Sequence, residues 1–272
     1  MIENSLLDKL LIEADLSEPA AQLLTELRVL EVTDSTNNWV MNCLRQGGEE
    51  FIACIANQQT AGRGRNGKVW QSPSNANIYM SLGTVFDVSR LSQMGGLSLA
   101  CGVMVARLLH SMGVSAQLKW PNDILVDDKK LAGILVETRI KAKQVLVVVG
   151  IGLNVKMPAH KAPKIDQPWI DLQTLLAANE INLNRNIIAA QLLNTLITGL
   201  LQYQKNGFDS FADDWKKFDM LRGRSVIIKT HEDEFDAEVL GVNAAFALRV
   251  KVNNKETIFH AADIKLKLNP AC

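Results

Sequence analysis

Three glycines and three cations fall within the seven residues Gly62, Arg63, Gly64, Arg65, Asn66, Gly67 and Lys68. Glycine lets backbone N–H groups approach a ligand closely. Arginine offers a planar fork of donors that matches carboxylate or phosphate. The chemistry this suggests is polyanion binding. No GxxxxGK[ST] phosphate loop is present. Gly62, Gly64 and Gly67 fit the GxGxxG spacing, but no acidic residue follows at the place a dinucleotide site needs. The plainer reading of this stretch alone is a solvated Gly/Arg loop. Three further clusters carry reactive or polar groups: Lys119-Trp120-Pro121-Asn122-Asp123, Lys129-Lys130-Leu131-Ala132-Gly133 with Glu137 closing the apolar run behind it, and Gly150-Ile151-Gly152-Leu153-Asn154. Taken singly, they read as a rigid turn, a charged turn and a strand bulge.

The elements that must position these clusters follow from hydrophobic period and turn chemistry. Residues 1–29 read as helical, with Leu6, Leu7, Leu10 and Leu11 on one face. A short strand over 29–32 precedes Asp34, Ser35 and Thr36, which can each cap a helix over 37–44. Residues 51–56 form an apolar strand, 57–77 have loop composition, and 78–86 alternate as a strand. The longest helical pattern covers 90–112. Strand-like pieces occur at 118, 124–126, 131–137 and 145–150. Residues 156–171 hold three prolines and show no period. Helices follow over 183–205 and 208–218. From Arg222 the pattern changes to short strands at 226–229, 235–240, 245–252, 257–259 and 264–268. Five short strands in so few residues predict a small SH3-like β-barrel domain. The rest mixes strands and helices without strict βαβ alternation, which predicts an α+β fold with a mixed sheet. The domain reading is 1–220, with 1–29 as an N-terminal helical segment, and 221–272.

Composition removes several classes of function. The 272 residues carry 29 Lys+Arg against 29 Asp+Glu, a formal net charge of zero, and 47% are hydrophobic. Global disorder is excluded, and a nucleic-acid coat or polybasic anchor is disfavoured, because both rely on excess cation. Cys43, Cys54, Cys101 and Cys272 make no CxxC pair and lie near no histidine at ligand spacing, so no zinc site is expected. The N-terminal stretch has no basic region ahead of an apolar run, and no apolar run approaches the ~20 residues of a membrane span. A soluble cytoplasmic protein is expected, with no membrane partner.

In this order the motifs are far more specific than any one alone. DSTN at 34–37, QTAGRGRNG at 59–67, KWPNDI at 119–124, KLAGILVE at 130–137 and GIGLNV at 150–155 resemble the biotin protein ligase family. The resemblance runs from about residue 30 to the C-terminus. It implies an enzyme that joins biotin to ATP, giving biotinyl-5′-AMP and pyrophosphate, and then passes biotin to one lysine of a biotin carboxyl carrier protein, an acetyl-CoA carboxylase subunit. Mg²⁺ is implied as the ion that accompanies ATP, with no metal-ligand residues on the protein.

By motif, the resemblance implies that Ser35, Thr36, Asn37 and Gln59 line the biotin pocket, where small polar groups suit the carbonyl and two N–H groups of the ureido ring. Gly62, Arg63, Gly64 and Arg65 match the ligand-binding loop, with Arg63 and Arg65 holding the biotin carboxylate and the α-phosphate together. Lys130 matches the lysine that reaches both anions; Lys129 has no such match. Lys119 and Asn122 are implied to touch ATP phosphates or the metal, Asn154 to read adenine, and Trp169 to pack over the adenylate as a loop closes. Arg65, Lys130 and Asp123 are the expected catalytic residues, Asp123 orienting or deprotonating the acceptor lysine.

Two departures stand out. Family loops often read GRRG followed by Arg, where this chain has Asn66 and Lys68, so an adenine-stacking contact at Lys68 is in doubt. Only about 33 residues precede DSTN, and the first 29 are acidic. A winged helix-turn-helix is therefore not expected, nor is sequence-specific DNA binding. The resemblance also implies a ligand-promoted homodimer through the sheet of the larger domain. Two other classes of function fit the residues less well. A catalytically silent binding module would not need Arg63, Arg65 and Lys130 together. An RNA-binding protein would need more than one Arg/Gly loop and an aromatic platform.

Overall fold

In a computed structural model, the described residues are 6–47, 51–158, 165, 167–177, 183–230 and 233–260, with the backbone alone of 265–268. Seven strands form one mixed sheet: β1 (Leu24–Thr33), β2 (Phe51–Gln59), β3 (Ile78–Asp87), β4 (Gln117–Lys119), β5 (Asp123–Val126), β6 (Lys129–Lys141) and β7 (Gln144–Leu153). Their order is β1-β2-β3-β7-β6-β5-β4. Only β1 and β2 pair in parallel; the other neighbours are antiparallel. The α+β expectation holds in this form.

Period-2 alternation sorts residues to the two faces. On β7, Val145, Val147, Val149, Ile151 and Leu153 point into the main core. Each such buried side chain stabilises the fold by about 1.5–3 kcal/mol relative to exposure. The helices α4 (Leu97–Ser111) and α6 (Arg185–Asn206), with the short α5 (Leu172–Leu176) between them in the chain, cover that face. On the other face α3 (Thr36–Arg45) packs Val40, Met41 and Leu44 against Ile52, Cys54, Leu146 and Val148.

A second sheet follows, with β8 (Ser225–Lys229), β9 (Glu234–Val242), β10 (Leu248–Val252), β11 (Lys255–Phe259) and β12 (Lys265–Leu268). It is fully antiparallel in the order β11-β10-β9-β8-β12. The predicted strand over 245–252 begins later, because residues 243–247 form the turn before it. Asn243 Oδ1 accepts from the Ala245 and Ala247 N–H groups there, and Phe246 takes a left-handed φ of 64°.

Two expectations need correction. The helical segment over 1–29 is instead α1 (Lys9–Ala14), α2 (Glu18–Leu23) and the start of β1, with residues 1–5 outside the described set. Of the predicted Leu face only Leu7 is buried; Leu6, Leu10 and Leu11 are exposed and Ile12 is the anchor. Pro19 near the start of α2 breaks the first pattern. β-Branched Thr25, Val29 and Val32 favour the strand after it. The helix over 90–112 is also split, because Val88–Gly96 is 3₁₀ and α4 begins at Leu97. By length and composition the 24-residue run Val88–Ser111 could cross a membrane, against expectation, but 61% of its apolar window is buried within the fold.

Candidate active site

The site lies on the α3 face of the sheet, where β6 and β7 lose their side chains. Gly133 pairs with Gly152, and Gly150 pairs with Leu135. A Cβ on Gly152 would stand 2.4 Å from the Trp70 indole, and one on Gly133 2.9 Å from it. A Cβ on Gly150 would meet Asn37 Oδ1 at 2.3 Å. The glycines therefore make a flat floor, with Trp70 and Asn37 lying directly on it.

Around Asn37 the inner groups are neutral and polar, and the ion pair of Arg63 with Glu137 closes the rim. Thr36 donates to Gln59 Oε1 through its backbone N–H (3.0 Å) and its hydroxyl (3.2 Å). Gln59 Nε2 donates to Ser72 Oγ (3.2 Å), which donates to the Trp70 carbonyl (3.1 Å). Ser81 Oγ sits 2.7 Å from Thr36 Oγ1 and 2.6 Å from Asn37 Oδ1. Thr36, Asn37 and Ser81 are all buried. Ser35 is buried too, and its hydroxyl caps nothing although the residue stands at the N-cap of α3. A chain of bonds thus runs from the start of α3 to the backbone of Trp70.

The Gly/Arg loop is a closed ribbon. Arg63 bridges Val69, Gly64 N–H donates to the Lys68 carbonyl (2.7 Å) and Trp70 N–H to the Gly62 carbonyl (2.9 Å). Asn66 and Gly67 turn the tip with φ of 53° and 72°, a conformation Asn and Gly tolerate best. Gly62 is required by close packing, since a Cβ there would lie 2.6 Å from the Trp70 carbonyl oxygen.

At the other end of the floor the groups are charged. Lys130 Nζ lies 2.7 Å from Asp123 Oδ1, both side chains mostly buried. It also stands 5.3 Å from the Trp70 ring centroid. Desolvation holds the Lys119 ammonium below its ordinary value, with Asp123 acting against that shift and Lys130 and Lys68 adding to it. Desolvation likewise lowers Arg65, again opposed by Asp123. One carboxylate thus serves several partly desolvated cations, and the mouth is short of negative charge. Asn122 donates to the Ile134 carbonyl (2.8 Å) and so pins the turn that carries Lys119 and Asp123 to β6.

Not every expected residue falls in this mouth. Arg63 turns the other way, pairing with Glu137 (2.9 Å) and Asn38 (2.7 Å), while Asn37 also donates to Glu137 (2.8 Å). Glu137 is seven positions along β6 from Lys130, so the two cations sit at opposite ends of the floor. Lys68 is exposed on the ribbon. Asn154 is buried and donates to the Lys130 and Ile170 carbonyls, leaving its Oδ1 buried without a partner. The segment 168–170 lies along Lys130 through bonds to Pro168 and Ile170, which puts half-buried Trp169 beside it.

Trp70, Ser81 and Glu137 belong to this constellation and were not foreseen. Trp70 and Glu137 close two of the motifs, and Ser81 is a buried hydroxyl in an otherwise apolar strand. The Trp70 indole N–H is buried and unpartnered, which marks it as a donor awaiting an acceptor. Among the described residues no group of three His, Cys, Asp or Glu side chains could hold a metal.

An antiparallel-rich sheet thus carries a glycine-floored polar slot at one end and a cluster of partly desolvated cations suited to an anion at the other. The family model "Biotin/lipoate A/B protein ligase family" matches residues 29–154. The chain is 34% identical over 244 residues to the bifunctional ligase/repressor BirA of Salmonella typhimurium, covering 88% of this chain and 73% of that one. It is 36% identical over 210 residues to the biotin–[acetyl-CoA-carboxylase] ligase of Mycobacterium tuberculosis, covering 75% and 74%. Among solved structures, the biotin protein ligase from Aquifex aeolicus in complex with biotin and ATP superposes with a TM-score of 0.73 at 22% identity, over 90% of this chain and 100% of that one. The chain belongs to the biotin protein ligase family of enzymes.

Proposed function

We propose that this protein is an ATP-dependent ligase that activates biotin as biotinyl-5′-AMP and transfers it to a lysine of a biotin carboxyl carrier protein, the acetyl-CoA carboxylase subunit. The observation that carries the reading is the Lys130–Asp123 pair at the charged end of the glycine floor. The neutral end suits a ureido ring: Ser35, Thr36, Asn37 and Gln59, with Ser81, offer matched donors and acceptors. For the ring to enter, the Trp70 indole slides off Gly133 and Gly152 and packs over the ligand. Its unpartnered N–H then finds an acceptor.

The carboxylate of biotin reaches the mouth, where Lys130 exchanges Asp123 for it and Arg65 approaches from the ribbon. A carboxylate oxygen attacks the α-phosphorus of ATP, and pyrophosphate leaves. Arg65, Lys130 and Lys119 offset the repulsion between the two anions and stabilise the charge that builds on the phosphoryl oxygens. Mg²⁺ enters as MgATP. Asn154 Oδ1 accepts from the adenine amino group, and Trp169 covers the adenylate. Asp123, freed from Lys130, takes the proton of the incoming lysine amine. That amine attacks the acyl carbon and AMP leaves. Arg63 serves the opposite end, tying the ribbon to Glu137 and α3, and Gly62 and Gly64 allow the backbone approach.

We read residues 1–220 as the catalytic domain and 221–272 as a small SH3-like barrel, supported by the change to an antiparallel sheet after Met220. We read the protein as cytoplasmic and without a membrane partner; that it binds no operator DNA is supported by the acidic Asp8, Glu13, Asp15 and Glu18 at the N-terminal helices. A ligand-promoted homodimer would extend the larger sheet at β1. The test is incubation with biotin, MgATP and a carboxyl-carrier domain, followed by intact mass. A gain of one biotin on the carrier supports the function; an unmodified carrier with biotin bound to the protein supports a silent binding module.

A further inference from the structure

Hydrogen bonds join the C-terminal sheet, and the chain that leads into it, to residues 118–128, the stretch that carries Lys119, Asn122 and Asp123. Met220 N–H donates to the Leu118 carbonyl (3.0 Å), where the chain leaves for β8. Arg224 pairs with Asp128 (2.9 Å) across exposed surface. Between them, the Trp120 indole N–H donates to the Phe246 carbonyl (3.0 Å). Trp120 is buried and is flanked by the two cluster residues, Lys119 before and Asn122 two positions after.

Phe246 is built to stay where it is. It sits in the turn before β10 in a left-handed conformation that a phenylalanine rarely adopts. Asn243 organises that turn through two backbone N–H groups. The Phe246 ring lies over Gly96, where a Cβ would come within 2.6 Å of it, and it meets Phe208 edge-on at 5.1 Å between centroids. Ser98, on the first turn of α4, donates to the Pro121 carbonyl (3.1 Å). The Trp120-Pro121 step is therefore gripped from both sides.

We propose that Phe246 is a positioning residue for the phosphate chemistry, acting through Trp120 to hold Lys119, Asn122 and Asp123 in place. The C-terminal sheet thereby takes part in ATP use without touching ATP. The inference rests on the reading of this turn as the ATP side of the site. A biotin slot centred on α3 and Gly150 lies away from the grip, so the two substrates must respond differently.

The test compares the full-length protein with Phe246→Ala, Trp120→Phe and Gly96→Ala. KM for MgATP is measured by pyrophosphate exchange, and Kd for biotin by calorimetry. Phe246→Ala removes the ring anchor, Trp120→Phe removes the donor together with part of the buried indole's volume, and Gly96→Ala pushes the ring from its seat. The expected result is a rise of roughly tenfold in KM for MgATP in all three, because small misplacements of a catalytic turn are costly, with Kd for biotin unchanged. Unchanged KM, or biotin and ATP weakened alike, overturns the proposal. Trp120→Phe keeps the test decisive even where Phe246→Ala fails to fold. Absence of exchange in the unaltered protein contradicts the assigned function instead, and the same split is then read from calorimetry with MgATP alone.

Discussion

The two faces of β7 come from the same ten residues, yet they do opposite work. The core face is a run of branched side chains, Val145, Val147, Val149, Ile151 and Leu153, and it holds the sheet to α4 and α6. The other face begins in the same way, with Leu146 and Val148 under α3, and then gives up its side chains at Gly150 and Gly152. The difference teaches that the slot is made by subtraction. The strand keeps its ladder and its core face, so removing two side chains opens room without unfolding the floor.

That contrast can be broken most sharply at Gly152. Gly152→Val puts a branched side chain where a single Cβ already comes 2.4 Å from the Trp70 ring. We expect biotin binding by calorimetry to fall at least ~100-fold, while circular dichroism stays that of the folded protein. Next in size is Lys130→Ala at the charged end. Loss of a cation that meets developing charge lowers the pyrophosphate-exchange rate about 100- to 1000-fold, with the unfolding midpoint little changed. The mirror experiment on the core face is Val147→Ala. It should cost about 2 kcal/mol in denaturant unfolding and leave KM for both substrates as it was.

Smaller effects separate the two ends of the slot. Burial disfavours the charged form of Lys119, so it loses its proton below the ordinary 10.5. As pH rises through that lowered value the cation, and its pull on phosphate, is lost. MgATP affinity should therefore decline at a lower pH than an ordinary lysine would dictate, and Lys119→Arg should move the decline upward. The smallest change is expected from Glu137→Gln. The Arg63–Glu137 pair is substantially exposed, and such pairs contribute roughly 0–1 kcal/mol. A weakening of biotin binding of about fivefold at most matches that bound.

Much of this was legible in local patterns. The α+β class with a mixed sheet followed from strands and helices that do not alternate strictly as βαβ, and α3 followed from the caps at Asp34 to Thr36. Lys130 and Asp123 stood out only through the resemblance of their motifs taken together, since singly they read as a charged turn and a rigid turn; their 2.7 Å pairing came from the fold. The rest depended on partners far along the chain. That Trp70 lies on Gly133 and Gly152 requires the β6–β7 register. Arg63 is drawn to Glu137, 74 residues away, rather than to the mouth. The 3₁₀ turn ahead of α4 ends in Gly95-Gly96, and Gly96 is seated against Phe246 of the second sheet. The N-terminal leucines misled because a helical stripe carries no information on whether anything covers it; Leu10 is 75% exposed.

Biotin-dependent ATP–pyrophosphate exchange, run on the unaltered protein and on Lys130→Ala in parallel, is the decisive test of the proposal that a polar slot and a cationic mouth on one glycine floor join two anions. Exchange should require biotin, vanish when EDTA removes Mg²⁺, and fall about 100-fold or more in Lys130→Ala. Exchange that proceeds without biotin, or that Lys130→Ala leaves intact, would contradict it.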